Sequence, residues 1–312
     1  KPHHDFLQQE LLYSEFRHLL DGKKITLYNN TFCAVAKDII EAMQNRKRVA
    51  RAIFILDQYA YRDVPFNIIH QLLTTTNSEV ILTFNFDSLQ GFLSEESTNR
   101  KALEKIGLAQ YIDWRRLQIF KEANKWQEAI QEQLAHAIYQ ASGAKHMTLF
   151  FVKPLNGWTY WLVHLTRLYR ARDVMMDLHW RYANTSKGFE HFLGDGLFRL
   201  GFQATTIPGQ QAIDFGEKFD FGSEARIRCI NRLAEAVPKI IFDSSGGILY
   251  QDLVDRIGSL TPASGQEIKS AIQLSLDQRE LQIITPEGKQ PGTAKKLKGA
   301  DTLKYLQKQL FL

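Results

Sequence analysis

The sequence predicts an α/β domain with a doubly wound sheet, followed by a carboxyl-terminal winged helix. Strand and helix patterns alternate near the start of the chain, which favours parallel strands joined by crossover helices. A later pair of strand patterns is joined by a linker too short for a crossover. The chain of 312 residues, 44% of them hydrophobic, is long enough for two domains.

Two segments predict the central strands. Ala52–Leu56 is a continuous apolar run that ends at Asp57, and Val80–Phe86 follows a helical pattern. A continuous apolar run is typical of a strand buried on both faces of a parallel sheet. Ile25–Tyr28 is predicted as a further short strand, which ends at two asparagines.

The segment after these strands predicts a helical insertion and then a hairpin. Residues 94–144 are mostly helical and charged, and they exceed a normal crossover. Met147–Val152 and Tyr160–Leu165 are predicted strands, and the short linker between them, which contains Lys153–Gly157, permits only an antiparallel hairpin. A parallel sheet closed by such a hairpin is typical of class I methyltransferases, so the predicted fold class is a Rossmann-like sheet of that type.

The predicted domain boundaries follow from these elements. The methyltransferase-like domain is assigned to residues 1–185, residues 186–245 to a connecting region, and residues 246–312 to the winged helix. The last assignment depends on a short helix, a turn, a second helix over Glu267–Glu280 and a strand over Leu281–Ile284. No GxGxxG pattern occurs in the first 150 residues, so the opening strand and its Gly-rich loop are expected to be missing from this sequence.

Composition narrows the classes of function. No apolar run reaches the length of about 18 residues that suggests a membrane span. The two cysteines, Cys33 and Cys229, are far apart and lack metal-ligand spacing, so we expect no metal site and a reducing, cytoplasmic environment. His164 lies among apolar strand residues and is interpreted as a core histidine. The net charge of +5 permits nucleic-acid binding without requiring it.

The candidate catalytic residues follow the first buried strand. They are Asp57, Gln58, Tyr59 and Tyr61. Ligands of open α/β sheets bind beyond the carboxyl ends of the strands, where a carboxylate and aromatic rings can hold an amine or a base. The alternative, of about equal weight, is that Asp57 caps the next turn. Asn30 is a candidate for hydrogen bonding to the adenine of a cofactor, although ordinary turn chemistry explains it equally well.

A family resemblance adds to this interpretation. The segment Phe54–Phe66 resembles the Asp-Pro-Phe-Gly segment of the three-Cys-motif partner proteins, which are methyltransferase-like bacterial proteins. Tyr160–Arg167 and Val174–Trp180 resemble that family's late strand and its Met/Trp helix. The resemblance covers roughly residues 5–310. It implies S-adenosylmethionine as cofactor, conditional on the missing loop, and a three-cysteine-motif protein as partner. Gln58-Tyr59 stands where the family has Pro-Phe, so the tetrapeptide is not intact.

Two groups of basic residues are candidates for nucleic-acid binding. Arg167, Arg170 and Arg172 lie on or beside a helical pattern, where a solvated helix face is the commoner explanation. The winged helix and its tail supply Lys269, Arg279, Lys289, Lys295 and Lys296. Winged helices also dock proteins, and the mixed charge of the second helix leaves DNA reading at even odds.

Two functional hypotheses follow. The first is an S-adenosylmethionine-dependent methyltransferase acting on nucleic acid, in which Asp57 anchors the acceptor and Tyr59 and Tyr61 shape its pocket. Methyl transfer would then depend chiefly on proximity and orientation. The second is a non-catalytic module that binds nucleic acid or protein through a degenerate methyltransferase fold.

Overall fold

The computed structural model describes residues 2–46, 51–57, 64–85, 89, 97–123, 130–182, 189–192 and 221–306. In the amino-terminal part, the strands are β1 (Arg51–Asp57), β2 (Asn77–Asn85), β3 (His146–Pro154), β4 (Tyr160–Thr166) and β5 (Phe189–Phe192). The helices are α1 (Pro2–Tyr13), α2 (Arg17–Asp21), α3 (Phe32–Gln44), α4 (Phe66–Thr75), α5 (Ser97–Ile106), α6 (Trp114–Glu122), α7 (Ala135–Ser142) and α8 (Tyr169–Tyr182).

Strands β1 to β5 form a mixed sheet in the order β1-β2-β4-β3-β5. β1 and β2 are parallel and are connected through α4, as the alternating pattern predicted. β4 runs antiparallel to both of its neighbours, β2 and β3, and Phe150 lies opposite Leu162 in the hairpin. The predicted antiparallel hairpin is therefore confirmed, and so is the α/β class. β5 adds a short antiparallel edge next to β3.

The main core lies on one face of this sheet. Alternate residues of the strands, including Val80, Leu82 and Leu165, are fully buried there. The ring of Phe54 meets Phe32 of α3 edge-on, with 6.1 Å between the ring centroids. Since full burial of such an apolar side chain contributes about 1.5–3 kcal/mol, this layer fixes the position of β1 and β2.

The opposite face of β1 corrects one expectation. β1 is the edge strand of the described sheet, and its side chains Ile53 and Ile55 are 62% and 71% exposed. The continuous apolar run predicts burial on both faces, which is wrong for this strand. An apolar run shows that both faces tolerate hydrophobic side chains, but it does not show whether an element packs on each of them.

Residues 25–28 also differ from the prediction. Ile25–Tyr28 is irregular, and Tyr28 is exposed. A four-residue segment forms a strand only where a neighbouring strand supplies its hydrogen bonds, and no described strand pairs with this one.

The residues assigned to the helical insertion hold α5, α6 and α7. Asp113 caps α6 by accepting from the backbone N–H groups of Arg115 and Arg116, each at 3.1 Å. The Gln133 side chain accepts from the Asp113 N–H at 3.0 Å and thus ties α6 to the helical turn before α7. Within the described part of the chain, none of the helices combines the length and the apolarity that crossing a membrane requires.

The carboxyl-terminal module consists of α9 (Ser223–Asp243), β6 (Gly247–Leu249), α10 (Tyr250–Ile257), α11 (Gly265–Asp277), β7 (Leu281–Ile284) and β8 (Thr302–Tyr305). Its three strands are ordered β6-β8-β7 and are antiparallel. α9 packs on α11, so a helix from the predicted connecting region contributes to this module. The order of helices and strands is that of a winged helix, with α11 in the position of the recognition helix.

A proline inside α9 shows how closely α9 and α11 fit. Pro238 has no N–H, so the carbonyl of Ala234 lacks its intrahelical donor. The Ser275 hydroxyl of α11 lies 3.2 Å from that carbonyl oxygen and equally 3.2 Å from the Ala271 carbonyl oxygen of its own helix, and it can donate to either. The serine is fully buried, so the pairing satisfies a polar group that water does not reach.

Candidate nucleic-acid interface

The winged helix is anchored to the sheet by a buried arginine of α8. Arg172 is 0% exposed, and its guanidinium donates to the backbone carbonyls of Thr261 and Ala263. The indole N–H of Trp180 donates to the intervening carbonyl of Pro262 at 3.0 Å. Three successive carbonyls of the turn before α11 are therefore satisfied by α8. Arg172 is not available to a phosphate, which corrects its assignment as a nucleic-acid contact.

The amino-terminal end of α11 is occupied by protein groups. Asp173 of α8 accepts from the Gly265 N–H at 2.6 Å, and its other oxygen pairs with Arg170 at 3.1 Å. Ser264 and Glu267 form a capping box, in which the Glu267 carboxylate accepts from the Ser264 N–H at 2.9 Å. These contacts satisfy the donors that a helix otherwise leaves free at its start.

A second group of contacts joins β3 to the winged helix. The Met147 N–H donates to the Ser259 hydroxyl at 3.2 Å, and the imidazole of His146 lies 3.2 Å from the Asp255 carboxylate. Burial lowers the pKa of His146, while Asp255 raises it. Together with the contacts of α8, these contacts hold the recognition helix in one orientation relative to the sheet.

This orientation creates a cleft of about 1180 Å³ between α8 and α11. α8 lines it from Leu168 to Arg181, and α11 lines it with Gln266, Lys269 and Gln273. Gln273 has a structural role there. Its amide donates to Asp277 and to the carbonyl of Gly292, and it accepts from the Ala294 N–H at 2.8 Å, which holds the segment after β7 at one side of the cleft.

The charge of the cleft is positive. Its basic side chains come from β1, α8, α11 and the segment after β7, and they are Arg51, Arg170, Arg181, Lys269 and Lys295. With its two acidic side chains, Asp173 and Asp177, the described lining has five positive and two negative charges, a net of +3. The Asp177–Arg181 pair, at 2.8 Å, lies at the surface and is open to competition from an anion.

The structure brings only some of the predicted nucleic-acid residues together. Arg170, Lys269 and Lys295 line the cleft. Four others are not among its described lining residues: Arg167, Arg279, Lys289 and Lys296. All four are exposed, and the Arg167 guanidinium donates to the Gly143 carbonyl at 3.4 Å.

Two basic residues of the cleft were missed by the sequence analysis. Arg181 follows Asp177 by four residues and Arg170 by eleven, which places all three along one side of a helix. That spacing was a usable signal. Arg51 opens β1 and reaches the cleft only because α11 docks near this end of the sheet, which no local pattern indicates.

Asp57 lies at the carboxyl end of β1, as predicted, and is exposed. The Thr83 hydroxyl of β2 lies 3.1 Å from its carboxylate and 3.3 Å from the Leu56 carbonyl, and it can donate to either. The carboxylate is thus oriented by the neighbouring strand and open to solvent. Gln58, Tyr59 and Tyr61 lie outside the described residues.

Asn30 does not have the environment of a cofactor ligand. It is exposed in the bend before α3, and its side-chain oxygen accepts from the N–H of Thr31 at 2.9 Å. This is the turn chemistry that was the alternative explanation. Asn30, the residue assigned to S-adenosylmethionine, therefore does not fit a binding site for that cofactor in the described part of the chain.

A cluster of buried histidines lies beneath α8. The ring of His179 on α8 meets Phe150 of β3 edge-on, with 4.1 Å between ring centroids, and His191 of β5 lies parallel to Phe221 at 5.0 Å. Burial lowers the pKa of His179 well below its usual value and that of His191 to about 4. Both rings are therefore neutral at pH 7. His164 is also buried, with its ring nitrogen 2.9 Å from the Glu79 carboxylate, which confirms its interpretation as a core histidine.

Comparison with known proteins identifies the winged helix. Residues 201–288 match the family of GMT-like wHTH domains, which is rather more than a quarter of the chain. The match contains α9, α10, α11 and β7. No curated protein and no solved structure matches the chain. The match supports nucleic-acid binding as the activity of a winged helix-turn-helix.

Proposed function

We propose that this chain binds nucleic acid through a winged helix carried on a methyltransferase-type sheet. The observation that carries the proposal is the positive cleft along the recognition helix α11. Lys269 of that helix faces Arg170 and Arg181 of α8 across the cleft. Clustered cations on one face are the usual electrostatic footprint of nucleic-acid binding, because each phosphate contact releases condensed counterions.

The order of the strands supports the methyltransferase part of the proposal. Two parallel strands are followed by an antiparallel strand, β4, inserted between β2 and β3. This is the hairpin closure that is typical of class I methyltransferases. The resemblance of the segment from Phe54 to Phe66 to the three-Cys-motif partner proteins is a further argument. On the same resemblance, we propose a three-cysteine-motif protein as a partner. Co-purification with such a protein would test this.

Methyl transfer to nucleic acid is the second candidate. It is favoured by the position of Asp57, whose solvent-exposed carboxylate is oriented by Thr83 at the end of the sheet where ligands of α/β folds bind. Since Asn30 does not fit a cofactor cradle, we derive no chemical step through S-adenosylmethionine. Calorimetry with S-adenosylmethionine tests this candidate. Heat of binding supports it, and the absence of heat contradicts it.

The binding proposal is tested by fluorescence anisotropy with a labelled oligonucleotide over a series of salt concentrations. We expect the logarithm of the association constant to fall linearly with the logarithm of the salt concentration. Lys269→Gln should weaken binding and reduce this slope, whereas Lys105→Gln, on the exposed face of α5, should change neither. A slope near zero, or equal effects of the two variants, contradicts the proposal.

A further inference from the structure

The amino-terminal end of α11 is closed to a DNA groove. In helix-turn-helix proteins, this end of the recognition helix contacts the base edges. Here Ser264 is only 2% exposed, and the Gly265 N–H is already bound to Asp173. The turn before the helix is held by Arg172 and Trp180 through its three carbonyls. Base contacts from Ser264 or Gly265 would require this anchor to separate, whereas Gln266, the next residue, is exposed and lines the cleft.

The dimensions of the two helices lead to the same conclusion. A major groove is about 12 Å wide and admits one α-helix, which is itself about 10–12 Å across with its side chains. α8 stands beside the start of α11 and touches it through Asp173. A duplex that approached this end would therefore meet α8 as well as α11.

A narrower polyanion meets a more favourable surface. The cleft extends along α8 from Leu168, just before the helix, to Arg181, a span of fourteen residues and about 20 Å. Cations lie along both walls, and Leu168 and Val174 provide partly exposed apolar surface between them. A single strand can place its phosphates against the cations and its bases against this apolar surface, whereas a paired duplex keeps its bases inside.

We propose that the cleft between α8 and α11 binds single-stranded nucleic acid. The inference rests on the proposed function, since it specifies the kind of nucleic acid and the surface that holds it. We assign Lys269 and Lys295 to phosphate contacts on one side of the bound nucleic acid, and Arg170 and Arg181 to phosphate contacts on the other. Gln273 is excluded from base recognition because its amide is used to hold residues 292–294.

The test compares a labelled deoxythymidine oligonucleotide, the matching uridine oligonucleotide and a duplex of equal length by fluorescence anisotropy. We expect one of the single strands to bind about tenfold more tightly than the duplex. Lys295→Gln should weaken single-strand binding about threefold to fivefold and reduce the salt slope by about 0.7. Lys296→Gln is the matched control, because this neighbouring lysine is exposed but does not line the cleft.

The outcomes separate the two proposals. Duplex binding that is tighter than single-strand binding overturns the assignment of the cleft but leaves nucleic-acid binding in place. Equal losses in Lys295→Gln and Lys296→Gln also overturn it, because the contacts would then lie on the outer surface of the wing. Absence of binding to every oligonucleotide overturns the proposed function itself.

Discussion

Replacement of Arg172 by methionine tests the anchor between the sheet and the winged helix. The side chain donates to two buried carbonyls, and a hydrogen bond from a charged donor contributes about 1.5–3 kcal/mol. Losing both removes about 3–6 kcal/mol, while methionine fills much of the vacated space. The burial that lowers the pKa of Arg172 also destabilises its charge in the folded protein, and relief of that cost offsets part of the loss. We therefore expect Arg172→Met to lower the free energy of unfolding by about 2–4 kcal/mol.

Urea unfolding followed by tryptophan fluorescence measures this change. Trp180 donates to the same turn as Arg172, so one of the five tryptophans that contribute to the emission lies at the anchor itself. Arg181→Met is the control, because this arginine is largely exposed on the same helix and its ion pair contributes at most about 1 kcal/mol. Equal unfolding midpoints for the wild type and Arg172→Met would refute the assignment of Arg172 as the residue that holds the turn.

Two further predictions concern buried polar groups. Ser275→Ala should cost about 1 kcal/mol, because Pro238 leaves the Ala234 carbonyl without another donor, and Ser270→Ala on the same helix should cost less in the same urea assay. Acidification should destabilise the fold through His191, whose folded-state pKa of about 4 lies below the ordinary value of 6.5. The unfolded chain then binds the proton preferentially, so stability is full above about pH 6.5 and falls by up to about 3 kcal/mol as the pH approaches 4. His191→Phe should make the free energy of unfolding less dependent on pH between 7.5 and 4.5. An unchanged dependence would show that His191 does not cause it.

The fold was predictable from the sequence where local pattern decides the structure. Both hairpin strands followed from the short linker after Val152, and the second winged-helix strand, Leu281–Ile284, has the predicted bounds. The exposure of Ile53 and Ile55 was not predictable, because an apolar run gives no information about which elements pack on it. Likewise, Ile25–Tyr28 has strand-forming residues but lacks a described partner strand.

The candidate site was predictable only in part. Arg170 and Arg172 were assigned together to phosphate binding, yet residues two apart on a helix point about 200° away from each other. One of them had to face the protein if the other faced solvent, so this part of the error was avoidable. Which one faces inward depends on the turn at Thr261–Ala263, about ninety residues away, and a single sequence does not reveal that contact.

The register of the sheet connects the cleft to the candidate catalytic end. α8 begins beside the start of β3, where the ring of Tyr169 meets His146. Further along α8, the ring of His179 meets Phe150 of β3. Phe150 and Asp57 belong to one row across the sheet, because Phe150 pairs with Leu162 of β4, Leu162 with Thr83 of β2, and Thr83 with Asp57. Three strand spacings separate them, or about 14 Å. The cleft begins at Arg51, six residues and about 20 Å before Asp57 on β1, and ends beside Arg181. A single-stranded nucleic acid bound along α8 would therefore extend from the recognition helix to the level of the Asp57 carboxylate. The end of the cleft beside Arg181 and the Asp57 carboxylate therefore lie at one level of the sheet but about 14 Å apart, across β4 and β2.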